Sequence, residues 1–183
     1  MDGMVKRPAL TKAEATRRAR SIKLVLTDND GVLTDTGVYY NEHGEAFKRF
    51  SIRDGMGVEL LRKSDVETAI ITSEFSPSVR KRAEKLKMRR LYLGITRKEE
   101  HLESILRETG LDISNIAYIG DDVNDLEIIR MVSPKGLTAA PSDAIAAIRY
   151  EVNYLCKFPG GNGAFRNFAD WIIELRAVRK SSR

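Results

Sequence analysis

The chain has 183 residues, 42% of them hydrophobic and 31% charged, with a formal net charge of +5. That is the composition of one soluble globular domain with a full core, and no apolar run approaches the ~20 residues that span a bilayer. The basicity lies at the ends. Residues 1–23 hold seven Lys or Arg against two acids, residues 176–183 hold four and no acid, and the stretch between them is therefore near −4. A basic groove for nucleic acid is excluded on that pattern, and the ends read as basic tails, 1–20 and 177–183, flanking one domain at 21–176. The N-terminus lacks the apolar core of a signal peptide, and Cys156 has no partner for an internal disulfide, so a cytoplasmic protein is expected.

In chain order, residues 1–10 read as disordered, and Thr11 with Glu14 three positions on offers a cap for a helical turn or two as far as Arg20. Ile22–Thr27 reads as a buried strand, followed by Asp28-Asn29-Asp30-Gly31. Gly37–Tyr40 and Ala46–Phe50, around Asn41–Gly44, read as a β-hairpin. Its aromatics exceed what two strands can bury, so they pack on the body, on another subunit, or on both. His43 reads as a solvent-facing turn residue. A helix is expected over Arg53–Lys63 with Met56, Leu60 and Leu61 inward, then a strand over Val66–Thr72. Ser76-Pro77 opens a helix with Val79, Ala83 and Leu86 on its inner face. A short strand at Leu91–Leu93 precedes a capping box, Thr96 to Glu99, and a helix that buries Leu102, Ile105 and Leu106 and ends at Gly110.

Ile116–Ile119 is the next buried strand, leading into Gly120-Asp121-Asp122-Val123-Asn124-Asp125 and a helix to about Met131. A weaker strand at Gly136–Thr138, a short helix from Ser142, a strand at Val152–Leu155, the loop Gly160–Gly163 and a closing helix from Ala164 complete the pattern. The closing helix turns Phe165, Phe168, Ile172 and Ile173 inward. Strands alternating with amphipathic helices predict an α/β fold: a Rossmann-like parallel sheet with helices on both faces and one inserted hairpin.

Ligands of such sheets bind beyond the carboxyl ends of the strands. Asp28 and Asp30 follow the first strand, Thr72 ends the second, Lys98 opens the helix after the third, and Asp121, Asp122 and Asp125 follow the fourth. The Asp28–Asp30 pair alone is equally well read as an Asp-Gly turn. Four strand ends supplying one coherent set point to chemistry instead. Asp28 and Asp121, with a backbone carbonyl near Asp30, offer a hard-oxygen site for Mg²⁺. Asp28 is then the nucleophile on a phosphate, and Asp30 the acid that protonates the leaving alkoxide and the base that activates water. Thr72 donates to the phosphate, and Lys98 neutralises charge on the nucleophile and the transferring group.

Asp28-Asn29-Asp30-Gly31-Val32-Leu33-Thr34, Thr72, Lys98 and Gly120–Asp125 resemble the four motifs of haloacid dehalogenase (HAD) superfamily phosphatases. With the hairpin after the first motif and Gly160–Arg166 near the end, the chain resembles a small capless branch. That branch holds 3-deoxy-D-manno-octulosonate (KDO) 8-phosphate phosphatases and nonulosonate (KDN, sialic-acid type) 9-phosphate phosphatases. The resemblance implies Mg²⁺ held by Asp28, the Asp30 carbonyl and Asp121, supported by Asp125 and Asp122. It also implies a phosphorylated sugar-acid substrate, no cap domain, and a homotetramer in which a neighbour completes the pocket. Where the KDO 8-phosphate enzymes carry Gly-Arg after the threonine, this chain has Ser73-Glu74. Glu74, with Arg82 and Lys85, is closer to the nonulosonate subgroup: Glu74 accepts from sugar hydroxyls, and Arg82 or Lys85 pairs with the acid group. Arg82 and Lys85 are equally well read as a solvated helix face, and Ser73 places an extra side chain near the phosphate. The competing function is a non-catalytic oligomerisation module like the domain fused to CMP-sialate synthetases.

Overall fold

Residues 10–178 are described by the computed structural model. Six strands form one parallel sheet: β1 (Leu24–Thr27), β4 (Glu67–Ile71), β5 (Arg90–Tyr92), β6 (Ile116–Ile119), β7 (Leu137–Ala140) and β8 (Tyr154–Leu155). Their order across the sheet is β5-β4-β1-β6-β7-β8. The chain builds outward from β1 to β4 and β5, then crosses back to β6 on the other side of β1. The switch point of this α/β fold therefore lies between the ends of β1 and β6.

The inner strands β1, β4, β6 and β7 are buried on both faces because their side chains alternate between two cores, whereas the edge strands β5 and β8 are only partly covered. Val25, Ile70, Ala117 and Leu137 join one core, with Ala15 and Ala19 of α1 (Lys12–Ser21), Val58 and Leu61 of α2 (Ile52–Lys63) and Val79 and Ala83 of α3 (Pro77–Lys85). Phe165, Phe168 and Ile172 of α7 (Ala164–Ala177) complete that core. Leu24, Leu26, Ala69 and Tyr118 join the other, with Leu102 and Ile105 of α4 (Lys98–Thr109), Ile128 and Ile129 of α5 (Leu126–Val132) and Ile148 of α6 (Ala146–Glu151). The insert between β1 and α2 is an antiparallel hairpin, β2 (Tyr39–Asn41) and β3 (Gly44–Phe47), and the described residues contain no cap domain. None of the described helices is long and apolar enough to cross a membrane.

Several expectations are corrected. The helix expected after Thr11 forms as α1, with the Thr11 hydroxyl capping it on the Glu14 N–H, but it packs on the body through Ala15 and Ala19 instead of standing apart as a tail. Its Arg18 is buried and donates to the carbonyls of Ser133 (2.7 Å) and Gly136 (3.0 Å), so this charge belongs to the body. Met56 is exposed: the buried face of α2 is Asp54, Gly55, Gly57, Val58 and Leu61, because α3 and α7 press close on that side. Thr96 does not cap α4, whose N-cap position is Arg97 without a side-chain bond. Strand β7 runs on to Ala140, and α6 starts at Ala146 after a turn through Ser142. The expected disorder of residues 1–9 and the end of the C-terminal tail from Arg179 lie outside the described residues.

Candidate active site

Parallel strands bring all the strand ends to one edge. Asp28 follows β1 directly, and its N–H donates to Ile119 O of β6 at 3.0 Å, so the neighbouring strand sets its position. Its Oδ1 accepts the Asn29 N–H (2.7 Å), and its Oδ2 lies 3.0 Å from Lys98 Nζ. Lys98 is wholly buried and also reaches Asp125 Oδ1 at 2.6 Å. The same Asp125 oxygen accepts the Tyr118 hydroxyl (2.5 Å), while Oδ2 accepts the N–H groups of Asp121 (2.8 Å) and Asp122 (3.3 Å). Asp125 is therefore committed to holding the loop and the lysine. Asp121 is not: its Oδ1 is buried without a hydrogen-bond partner among the described residues.

Carboxylate oxygens of Asp28, Asp121 and Asp125 lie within 4.8 Å of one another. One lysine cannot balance three carboxylates, and the electrostatics show the deficit. Burial, then the charge of Asp125, raises the Asp28 pKa to about 7 against the pull of Lys98. Burial, then Asp125 and Asp28, raises Asp121 to about 8. Burial opposes the Lys98 ammonium, but Asp28 and Asp125 overcome it and hold that pKa above the ordinary lysine value. Hard oxygens, surplus negative charge and an orphaned carboxylate oxygen fit a divalent cation of the Mg²⁺ type. Gly31 permits this approach. Its φ is +81°, and a Cβ there would sit 1.9 Å from Asp121 Oδ2.

In front of the carboxylates lies a cleft of about 300 Å³. Of the residues expected at the site, Asp28, Asp30, Thr72, Ser73, Glu74, Asp121 and Asp122 line it. The Thr72 hydroxyl accepts the Glu74 N–H at 3.3 Å, which leaves its own proton to donate. Asp122 accepts the Val123 N–H at 2.6 Å and opens the turn that carries Asp125. Lys98 and Asp125 sit behind the cleft wall. Arg82 and Lys85 are not brought to it within one chain: Arg82 donates to Ser51 O (2.8 Å) and lies over the Phe50 ring, and Lys85 is exposed in the last turn of α3.

Asn29 is buried, and its Nδ2 donates to Asp30 Oδ1 at 3.1 Å, so it braces the second carboxylate from behind. Sequence reasoning missed Thr36, Val123 and Asn124 in the lining, and Lys48, whose Nζ lies 2.7 Å from both Asp30 oxygens. Lys48 gave no signal, since one lysine beside Arg49 in a hairpin arm looks like any solvated charge.

No family model matches the chain. It is 36% identical over 166 residues to the KDO 8-phosphate phosphatase KdsC of Haemophilus influenzae, covering 91% of this chain and 89% of that one. The chain belongs to the KdsC family. KdsC of Escherichia coli K12 is 34% identical over 161 residues, 88% of this chain and 84% of its own length. Among solved KdsC-type structures, the Moraxella catarrhalis enzyme in complex with magnesium, phosphate and KDO superposes with a TM-score of 0.83 at 32% identity, over 89% of this chain and 92% of that one. The cobalt-bound form from H. influenzae gives 0.82 at 34% identity, over 87% and 91%. A HAD subfamily III A hydrolase from Legionella pneumophila gives 0.84 at 34%, over 90% and 88%. KdsC membership makes this a HAD-type phosphoric monoester hydrolase, and the parallel sheet without a cap domain is the fold that goes with it.

Proposed function

We propose that the protein removes the terminal phosphate of a 2-keto-3-deoxy sugar acid, with KDO 8-phosphate as the first substrate to test. The observation that carries this reading is the buried Asp28–Lys98–Asp125 cluster, with Asp121 beside it, opening on a cleft that Asp30 and Thr72 also line. Asp28, Asp121 and the Asp30 carbonyl would hold Mg²⁺, whose charge lets a carboxylate approach a phosphate dianion.

Asp28 attacks phosphorus, and the bond to the sugar oxygen breaks as the bond to the carboxylate forms, leaving an aspartyl-phosphate. Asp30 gives its proton to the leaving alkoxide, then takes one from the water that releases phosphate and regenerates Asp28. Thr72 donates to a phosphoryl oxygen. Lys98 stabilises the charge on Asp28 and the transferring group without itself entering the cleft. Turnover of phosphate monoesters with Mg²⁺, abolished by Asp28→Asn, is the expected result. No turnover of any of them would leave the oligomerisation-module reading in its place.

A nonulosonate 9-phosphate is the second reading, favoured by Glu74 in the cleft lining. Comparing kcat/KM for the two sugar acids decides between them. Arg82 and Lys85 bind the acid group only if a second copy presents them, which fits a homotetramer associating through the hairpin, where Tyr39, Tyr40 and Phe47 are each more than half exposed. A cytoplasmic location accompanies this reading, consistent with Cys156 as a buried free thiol.

A further inference from the structure

The general acid of a phosphatase must present one oxygen to the leaving group in a fixed direction, and the hairpin arm supplies the group that fixes Asp30. Lys48 lies just past β3, on the arm that returns to α2, where an antiparallel bridge between Thr34 and Phe50 brings the arm alongside the loop after β1. Its side chain is 2% exposed. Burying an ammonium is unfavourable unless charge and hydrogen bonds compensate. Here Nζ makes 2.7 Å contacts to both Asp30 oxygens and lies 3.3 Å from Glu45 Oε2. Glu45 in turn accepts the hydroxyl of Ser76, the N-cap of α3, at 2.6 Å. The chain Asp30–Lys48–Glu45–Ser76 thus ties the carboxylate to the hairpin arm and, through it, to the start of α3.

The two Asp30 oxygens are not equivalent. Oδ1 accepts from Asn29 Nδ2 (3.1 Å), Thr34 Oγ1 (3.1 Å) and Lys48. Oδ2 has Lys48 as its one hydrogen-bond partner among the described residues. Oδ1 is the anchored oxygen, and Oδ2 is the one with a lone pair left to take up and carry a proton.

We propose that Lys48 is a positioning residue for the phosphatase reaction: by bridging both oxygens it sets the plane of the Asp30 carboxylate, with Glu45 holding the lysine in register. This rests on the phosphatase reading above. It makes the hairpin arm part of the proton-transfer apparatus rather than only an association surface.

The test is Mg²⁺-saturated kinetics on two esters, an alkyl sugar phosphate whose leaving oxygen needs a proton and p-nitrophenyl phosphate whose leaving group does not. Lys48→Met should lower kcat on the alkyl ester on the order of 100-fold, with KM changed less than about 3-fold and a loss on the aryl ester at least about 10-fold smaller. Lys48→Arg should recover part of the loss. Asp30→Asn should show the same selectivity, more strongly. Glu45→Gln, which leaves Lys48 and Asp30 in place, should show it more weakly and keeps the test open if Lys48→Met fails to fold. Equal losses on the two esters in Lys48→Met and Glu45→Gln, or a change confined to KM, would overturn the role of Lys48 while Asp30→Asn still reports a working general acid. An inactive wild-type protein would overturn both readings together.

Discussion

Asp54 of α2 accepts the backbone N–H of Gly163 at 3.0 Å, and its other oxygen accepts that of Arg166 at 2.9 Å. The N-terminus of α7 is thus capped by a buried carboxylate from a distant helix, since Gly163 at the N-cap has no side chain to do it. Asp54→Ala should lower stability by about 2 kcal/mol, the loss of a cap that also satisfies buried donors. Burial raises the Asp54 pKa above the ordinary 3.8 despite the bonds from Arg166 and Gly163. A raised folded-state pKa means the native state holds the proton more tightly than the unfolded one. The stability this contributes is fully present below 3.8 and is lost as pH rises through the raised value. Urea melts between pH 3.5 and about 7 should therefore show the wild type losing ground to Asp54→Asn as pH rises. A constant difference between the two would show that Asp54 does not titrate on unfolding.

Metal binding should be proton-linked. With Asp28 raised to about 7 and Asp121 to about 8 by burial and by their carboxylate neighbours, the metal-free site holds protons that a cation must displace. The expected outcome is an apparent Mg²⁺ affinity that rises as pH increases through this range. Thermal stability should rise with Mg²⁺ by about 2.7 kcal/mol at a hundred times the dissociation constant. Chelation should reverse the shift, and Asp121→Asn should remove it. Calorimetric titration in two buffers of different ionisation enthalpy measures the protons released, and zero release would contradict the buried-carboxylate picture.

The strand ends were legible because β1, β4 and β6 are apolar runs bounded by polar residues, so Asp28, Thr72 and Asp121 are located by counting to the end of each run. Lys98 was found at the right place for a partly wrong reason. The capping box predicted from Thr96 and Glu99 does not form, and Lys98 opens α4 with its side chain drawn inward by two carboxylates. The face of α2 was misread because Met56 and Leu60 are apolar, whereas the side that packs needs small residues, Gly55 and Gly57, under Arg82 and Arg166. Hydropathy records what a residue prefers, not how near the next helix comes. Arg82 and Lys48 show the same limit for charge: one is spent on Ser51 O and the Phe50 ring, the other on Asp30, and neither partner can be read from local sequence.

The Gly-rich loop before α7 acts on the site through contact rather than chemistry. A Cβ on Gly160 would lie 2.0 Å from Gly31 O, and Gly31 is the residue over which Asp121 closes. Gly160→Ala should therefore push the loop after Asp30 and displace the carboxylates, because backbone cannot give way as a flexible side chain can. Overpacking of this kind costs roughly 1–3 kcal/mol, and a displacement of about 1 Å at reacting groups can cost 100-fold in rate. The expected variant is folded, with a lower melting temperature and kcat reduced 10- to 100-fold, by the order of effect just given. Wild-type kcat in the alanine variant would show that the two loops are not rigidly coupled.

Tyr39 and Phe47 stack across the hairpin with ring centroids 4.5 Å apart, yet 53% and 57% of their surfaces remain exposed. Tyr40 beside them is 74% exposed. Large exposed rings on so small a ribbon, two of them stacked, are of the kind that marks an association surface, and burial of each is worth about 1.5–3 kcal/mol. Phe47→Ser should weaken self-association at least about 10-fold per contact, read by sedimentation velocity across a dilution series. The fold of the single chain should survive, because none of these rings belongs to either core. Should Arg82 and Lys85 act on a neighbour's substrate, KM for the sugar acid will rise as the assembly dissociates, while turnover of p-nitrophenyl phosphate, which has no acid group to bind, changes little. An assembly unchanged by Phe47→Ser would place the subunit contact elsewhere.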